Sequence, residues 1–202
     1  MGTCDTTCEL TTVGKSDEEL VRLFTRGKEW AFNELMERYS KKILNYINRI
    51  IYDREMAEDL LQVTFIRVYY NIDRFDPKRR FSTWLYTIAT NLAKNEMRKI
   101  RNSRLIFCHS LFLNVKSRVV FDDLDKGEQP DDYLYRKQLR DLIAKAAEEL
   151  PEHHRLIFTL RESEGKSYKE IAEILDCDIG TVKSRLNRAR KKFALIIEPY
   201  LD

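Results

Sequence analysis

The chain has 202 residues, of which 43% are hydrophobic and 34% charged, with only 6 Gly and 4 Pro. Charge above the roughly 25% of an average domain, combined with so few breakers, predicts a mostly helical, heavily solvated protein, and the length allows one domain or two small ones. No apolar run is long enough to span a bilayer, and the N-terminus lacks the basic-then-apolar order of a secretion signal, so a cytoplasmic protein without stable membrane insertion is expected.

The net charge is only +3, so any nucleic-acid surface must arise from local segregation of charge. That segregation is visible. Lys78 to Arg104 holds eight bases (Lys78, Arg79, Arg80, Lys94, Arg98, Lys99, Arg101, Arg104) against one acid, Glu96, whereas Asp122 to Asp132 holds six acids against Lys126 alone. The cysteines Cys4, Cys8, Cys108 and Cys177 form no CxxC pair and suit a reducing compartment. A zinc set of Cys4, Cys8, Cys108 and His109 is disfavoured by separation and loop-like surroundings, so no metal is expected. His153 and His154 are adjacent in a first helical turn and are expected to point in different directions, as surface and packing residues.

Residues 1–15 have no period and read as a flexible tail. Ser16 and Glu19 have capping-box spacing and open a short helix carrying Leu20, Leu23 and Phe24, ending near Gly27. A long helix follows, with Phe32, Leu35, Met36, Tyr39, Ile43, Ile47, Ile50 and Ile51 on one side and Lys41, Lys42, Asn45 and Asn48 on the other. Asp53 caps a third helix with the stripe Met56, Leu60, Val63, Ile66 or Phe65, and Tyr69 or Tyr70, and Asp76-Pro77 breaks the pattern. A fourth helix runs from about Phe81 to Arg101, with Trp84, Leu85, Ile88, Leu92 and Met97 inward. Residues 16–101 thus form one helical domain. Residues 102–131 read as a flexible linker. Order resumes at about residue 132, with Leu139, Leu142, Ile143, Ala146 and Leu150 as a stripe, Pro151 at a helix start, and Leu156, Ile157 and Leu160 continuing the second core. The expected fold is all-α: two small helical domains on a tether, the second spanning 132–202.

Tyr168 to Lys192 reads as a helix-turn-helix. Ser167 and Glu170 form a second capping box. Ile171, Ala172 and Leu175 line a first helix, while Val182, Leu186 and Ala189 line a second. Asp176 can take the left-handed conformation of the turn, small Ala172 allows a close crossing, and Gly180 leaves room for re-entry into helix. Cys177 is expected as a small core residue. Thr181 to Lys192 carries six bases and no acid, which suits a polyanion. Ser184 and Asn187, with Lys183 and Arg188, could reach base edges, and Arg190 to Lys192 phosphate.

The helix from Phe81 mixes bases with flat and amide groups: Trp84, Tyr86, Thr87, Thr90, Asn91, Lys94, Asn95 and Arg98. Unstacked bases need such surfaces, so single-stranded nucleic acid suits this helix, with core packing as the alternative for Trp84 and Tyr86. Phe75 and Phe81, flanking Pro77 to Arg80, read as a base-trapping loop beside a phosphate track.

The runs Ala57 to Val68 (AEDLLQVTFIRV), Arg74 to Asp76 (RFD), Phe81 to Ala93 (FSTWLYTIATNLA), Leu150 to Glu152 (LPE) and Gly180 to Leu186 (GTVKSRL) resemble bacterial RNA polymerase sigma factors of the extracytoplasmic-function (ECF) group, in order and spacing from about residue 17 to 198. The resemblance implies a first domain that grips the clamp of core RNA polymerase through Asp59 and Gln62, supported by Leu60 and Phe65. It also implies melting of a minus-ten element by Phe75, Phe81, Trp84, Tyr86, Asn91, Lys94, Asn95 and Arg98. The second domain would read a minus-thirty-five duplex through Thr181, Lys183, Ser184, Asn187 and Arg188. An anti-sigma partner is also implied, and the acidic linker would thread toward the polymerase active-site channel. Val63 departs from the Glu that many members carry after the Gln, which removes one polar contact.

No nucleophile with its base, metal-carboxylate site or phosphate-cradling glycine loop is recognisable, so neither catalysis nor a cofactor is expected. The rivals are a stand-alone helix-turn-helix regulator binding a symmetric site and a nucleic-acid-processing enzyme with a targeting domain.

Overall fold

The computed structural model describes residues 14–107 and 142–200, and every regular element among them is helical. Helix α1 (Asp17–Thr25) starts at the expected capping box: the Glu19 N–H donates to Ser16 Oγ at 3.2 Å and the Ser16 N–H donates to Glu19 Oε2 at 2.8 Å. It ends where Gly27 adopts φ +82°, a conformation that costs a residue without Cβ little. Helix α2 (Glu29–Ile51) buries Phe32, Leu35, Tyr39, Ile43, Ile47 and Ile50 as its periodicity predicts. It also buries Tyr46 and Asn48, the latter expected on the solvent side. Tyr52, in the left-handed conformation at φ 60°, closes α2.

Helix α3 (Arg54–Asn71) is capped by Asp53, whose side chain accepts from the Met56 N–H at 3.0 Å. Its buried stripe is Ala57, Leu60, Thr64, Phe65 and Val68: Leu60 and Phe65 are buried as the expected stripe allows, whereas Val63 and Ile66 are exposed. The sequence is apolar on both sides of α3, so periodicity could not choose a side. A short 3-10 turn (Ile72–Arg74) leads to the loop before α4 (Phe81–Phe107). Glu18 of α1 accepts from the Phe81 N–H at 3.2 Å, satisfying an orphan donor at the start of α4 and placing negative charge at the positive helix end. Helix α4 continues six residues past the expected boundary at Arg101.

The second domain comprises α5 (helical over 142–148), α6 (Glu152–Phe158) with a π-helical turn at Thr159–Ser163, α7 (Tyr168–Leu175) and α8 (Ile179–Ile197). Ala144, Ala146 and Leu150 are buried, whereas Ile143, expected in the stripe, is exposed. His153 and His154 do not diverge: their rings lie 4.2 Å apart, with His153 exposed and His154 half-buried. Asp176 is left-handed at φ 51°, as the turn requires. Gly180, by contrast, lies inside α8 with nothing within 4 Å of an added Cβ, so the turn does not depend on its lack of a side chain. Cys177 is half-buried against the core.

The two helical domains expected from the sequence are present and pack against each other. Buried residues of both form one continuous apolar cluster, in which α7 packs on α4 and the α6 region packs on α2. The Cys4, Cys8, Cys108 and His109 set, the acidic run 122–132 and Leu139 lie outside the described residues.

Glu170 links the capping box of α7 to acid stability. Burial pushes its carboxyl up, but hydrogen bonds from the Ser167 N–H (2.9 Å) and hydroxyl (2.7 Å), with Lys166 and Arg80 nearby, hold it below the ordinary glutamate value. A depressed carboxyl contributes stability that is complete above its unfolded pKa and lost as pH falls through the folded one. Ser167→Ala should therefore destabilise the chain by about 1 kcal/mol near neutral pH and by less at acid pH, measured by urea denaturation across that range. An equal loss at every pH would refute the assignment.

Candidate nucleic-acid interface

Helix α8 divides along its length. Val182, Leu186 and Ala189 are buried, and on the opposite face Lys183, Ser184, Asn187, Arg188 and Lys191 are exposed, at steps of one and three residues. Thr181 is half-buried, and its carbonyl accepts from Ser184 Oγ at 3.1 Å. The result is one convex row of bases interrupted by a hydroxyl and an amide. Such a row can hold phosphates while short polar groups meet base edges in a major groove. Arg190 is already engaged: its Nε and Nη2 donate to Glu162 Oε1 at 2.9 and 2.6 Å.

Helix α4 presents its candidate residues on two different sides. Asn91, Asn95 and Arg98 are exposed, and Trp84 is half-buried at the upper end of the same face. Trp84 packs against Phe75 and Phe81, ring centroids 5.4 and 6.1 Å away, and Phe81 packs on Tyr39 at 5.7 Å. Phe75 is 7% and Phe81 0% exposed, so neither ring is open to a flipped base. They brace the loop from beneath, while Asp76 to Arg80 stand in solvent above them. The reason is local: two aromatics bracketing a tight polar loop gain more by packing on Tyr39 and Trp84 than by facing water.

Tyr86 and Lys94 lie on the other side of α4, against the second domain. Tyr86 is 2% exposed, and its hydroxyl donates to Glu164 Oε2 at 2.5 Å. Burial first, then the Glu164 carboxylate, drives its phenol far above the ordinary tyrosine range. Thr90, expected among the polar readers, is buried; its hydroxyl donates to the Tyr86 carbonyl at 2.6 Å and meets Tyr46 Oη at 2.8 Å. Burial lowers the Lys94 pKa, against an opposing influence of Cys177 and Glu152 and with a smaller one of Arg185 in the same direction.

On α3, Asp59 and Gln62 are exposed, and Leu60 and Phe65 are buried beneath them. Asp59, Gln62, Val63, Ile66 and Tyr70 recur at three- and four-residue steps, so they share one outward face. Exposed apolar side chains aligned with polar ones mark a contact surface more readily than scattered ones do.

Residues 35–103 match the family description Sigma-70 region 2, and residues 140–193 match Sigma-70, region 4. The RNA polymerase sigma-H factor of Pseudomonas aeruginosa is 34% identical over 191 residues, covering 93% of this chain and 96% of that protein. The ECF RNA polymerase sigma-E factor of Escherichia coli K12 is 34% identical over 186 residues, covering 92% and 96%. The chain belongs to the ECF sigma factors. It is an alternative sigma factor directing promoter-specific transcription initiation, and not an enzyme.

Two solved structures share its fold. One is the sigma factor RpoE of Bartonella quintana in complex with the anti-sigma factor NepR (TM-score 0.66, 24% identity, covering 83% of this chain and 96% of that one). The other is CnrH in complex with the cytosolic domain of CnrY (TM-score 0.67, 22% identity, covering 92% and 99%). Among the described residues of this sigma factor, no helix is long and apolar enough to cross a membrane.

Sequence reasoning missed the residues that join the domains. Arg155 Nη1 donates to the Ile50 carbonyl at 2.9 Å and Nη2 to the Glu148 carbonyl at 2.7 Å, with the guanidinium 4.8 Å from the centre of the Tyr52 ring. Glu164 meets Arg49 Nη1 at 3.0 Å as well as Tyr86. Neither Arg155 nor Glu164 belongs to a motif; only their partners, far away in the chain, give them a role.

The Glu162–Arg190 pair holds a base of the sigma factor away from the exposed row of α8. Glu162→Gln should release Arg190 for a phosphate, steepening the dependence of log K on log salt for duplex DNA by up to about 0.9. Fluorescence anisotropy over a salt series measures it. An unchanged slope would place Arg190 outside the DNA contact.

Proposed function

We propose that this sigma factor docks on core RNA polymerase through the outward face of α3, reads a minus-thirty-five duplex with α8, and traps unpaired minus-ten bases on α4 and the loop before it. The observation that carries the reading is the row Lys183, Ser184, Asn187 and Arg188, exposed on a helix whose opposite side is locked into a core. A recognition helix must be anchored from behind and project short polar and basic groups forward, and α8 meets both conditions.

Melting would proceed by capture. Bases leaving the duplex gain stacking on Trp84 and amide hydrogen bonds from Asn91 and Asn95, while Arg98 and the loop bases Lys78 to Arg80 hold the backbone. Such contacts offset an unpairing cost of a few kcal/mol per base. The burial of Phe75 and Phe81 moves the trapping surface onto the loop backbone and the exposed part of Trp84. Action in the cytoplasm, where polymerase and promoter reside, follows from the same reading. The Bartonella quintana relative was solved with an anti-sigma factor, and a regulator of that kind is the further partner proposed for this chain.

The direct test is run-off transcription with core polymerase, with footprinting on templates whose two elements are moved apart by half a turn. Protection of both elements only with core, and sensitivity to the displacement, is the expected result. Asp59→Ala combined with Gln62→Ala should weaken core binding several-fold in a competition assay while leaving the circular dichroism melt unchanged. Normal binding by the double variant would move the docking face elsewhere.

Arg188→Ala should relax base preference in the upstream element, each lost bidentate contact removing about 1 to 3 kcal/mol of discrimination. Measured across a set of substituted promoters, a uniform loss on every sequence would make Arg188 a phosphate contact instead.

A further inference from the structure

Lys42, Asn45 and Lys166 belong to none of the surfaces assigned above, yet they face one cleft. Lys166 is placed there by its local backbone. Gly165, just beyond the π-helical turn, is left-handed at φ +63°, a conformation that favours a residue without Cβ. The chain after it is pinned: the Lys166 N–H donates to the Leu160 carbonyl at 3.0 Å, and the Lys166 carbonyl accepts from Arg161 Nη1 at 2.9 Å. The half-buried side chain holds its ammonium 4.2 Å from the centre of the Tyr86 ring. Burial is the first cause that lowers its pKa; Lys42 and Arg80 push the same way, against Glu170 and Glu164. Both of those carboxylates are committed to other groups, Glu164 to Arg49 at 3.0 Å and the Tyr86 hydroxyl at 2.5 Å, Glu170 to Ser167 and to Arg80 at 3.3 Å. A cation drawn out of water in this way is stabilised by an anion that approaches it.

Across the cleft, Lys42, Asn45 and Arg49 recur on α2 at three- and four-residue steps and so share one face. With Lys166, Ser82 and Ser163 they line a cavity of about 400 Å³. Its lining holds three cations, Lys42, Arg49 and Lys166, against the single carboxylate of Glu164. The phenols of Tyr39 and Tyr86 add no charge, because burial drives both above the ordinary tyrosine range. The excess of two positive charges matches a phosphate monoester, which carries roughly −1.5 to −2 near neutral pH, better than a single carboxylate. Two ammonium groups, two hydroxyls and an amide also supply the several donors that phosphate oxygens accept from. Small-molecule sites measure roughly 300 to 1,000 Å³, so this one suits a compact ligand and is far too narrow for a duplex.

We propose that the cleft binds a small phosphorylated metabolite of about nucleotide size, its phosphate held between the Lys42 and Lys166 ammonium groups with Ser82, Ser163 and Asn45 as supporting donors. The site gives this sigma factor a small-molecule input separate from promoter and polymerase. It does not depend on the function proposed above. Because the ligand would touch α2, α4 and the segment after α6, binding should also stabilise the folded chain by mass action.

Isothermal titration calorimetry of the full chain tests this with pyrophosphate, adenosine 5′-diphosphate and uncharged adenosine, at about 0.15 M salt to screen loose surface attraction. The two phosphorylated probes should bind one to one, and adenosine should not bind. Lys166→Gln and Lys42→Gln should each raise Kd about tenfold, the loss of one charge-assisted hydrogen bond. Lys166→Arg keeps the charge and should bind close to wild type. Lys99→Gln removes an exposed base of α4 outside the cleft and should leave Kd unchanged. If Lys166→Gln fails to fold, Lys42→Gln, at an exposed position of α2, carries the same test.

No saturable binding by either phosphorylated probe would overturn the site, as would binding that neither cleft variant weakens or that Lys99→Gln weakens equally. Displacement of the bound diphosphate by a short oligonucleotide, with the same dependence on Lys42 and Lys166, would also overturn it and make the cleft a nucleic-acid backbone contact. Run-off transcription with core polymerase and no added ligand judges the sigma-factor reading alone, whereas the titration needs neither promoter nor polymerase.

Discussion

The apolar stripe of α2 is the constraint on which the rest of the structure depends. Its 23 residues give a helix of about 35 Å, long enough for α1, α3 and α4 to lie against it and for its last turn to meet the second domain. Tyr46, Ile43, Ile47 and Ile50 are fully buried, each withdrawing a large side chain from water. With α2 fixed, α4 has only one way to lie, and its polar positions divide between solvent and the second domain. The C-terminal end of α2, negative by its dipole, then accepts the Arg155 guanidinium at the Ile50 carbonyl.

The interface between the domains adds polar contacts to the apolar cluster that runs through both. Inside each domain, aliphatic and aromatic packing dominates, and that does not readily come apart. Between them, much of the specificity lies in Glu164, Arg155 and Tyr86, groups that water can satisfy equally well once the domains separate. Hydrogen bonds exchanged for water contribute little net free energy while fixing geometry closely. A cleft of about 400 Å³ lined by Tyr39, Lys42, Arg49, Glu164 and Lys166 brings solvent to the edge of this contact. An interface of that type holds one arrangement without making it permanent.

Charge is handled locally throughout. The row on α8 is left open, whereas Arg190 is paired with Glu162 and Arg80 with Glu170. A chain with a net charge of +3 thus presents a strongly basic strip on α8 because six bases and no acid fall between Thr181 and Lys192. On α3 the same economy operates with apolar groups. Tyr70 is 79% exposed beside Ile66 and Val63, apolar surface that the docking proposed for this face would cover.

Much of this was written in the sequence because the signals were short-range. The capping boxes at Ser16 and Ser167, the left-handed Asp176, the stripe of α2 and the exposed basic row of α8 depend on residues three or four positions apart, and all are present. The side of α3 that faces inward was not legible, since Val63 and Ile66 are as apolar as Leu60 and Phe65 and only the packing on α2 selects between them. Nor was the fate of Phe75, Phe81 and Tyr86, because a flat ring offers the same chemistry to a base as to a core. The sequence by itself determined the helices, the capped starts of α1, α3 and α7 and the exposed basic face of α8. Tertiary structure alone decided which rings of α4 and its loop are covered and that Glu164 bridges two domains, because burial and pairing across some 80 to 115 residues arise only when distant segments meet.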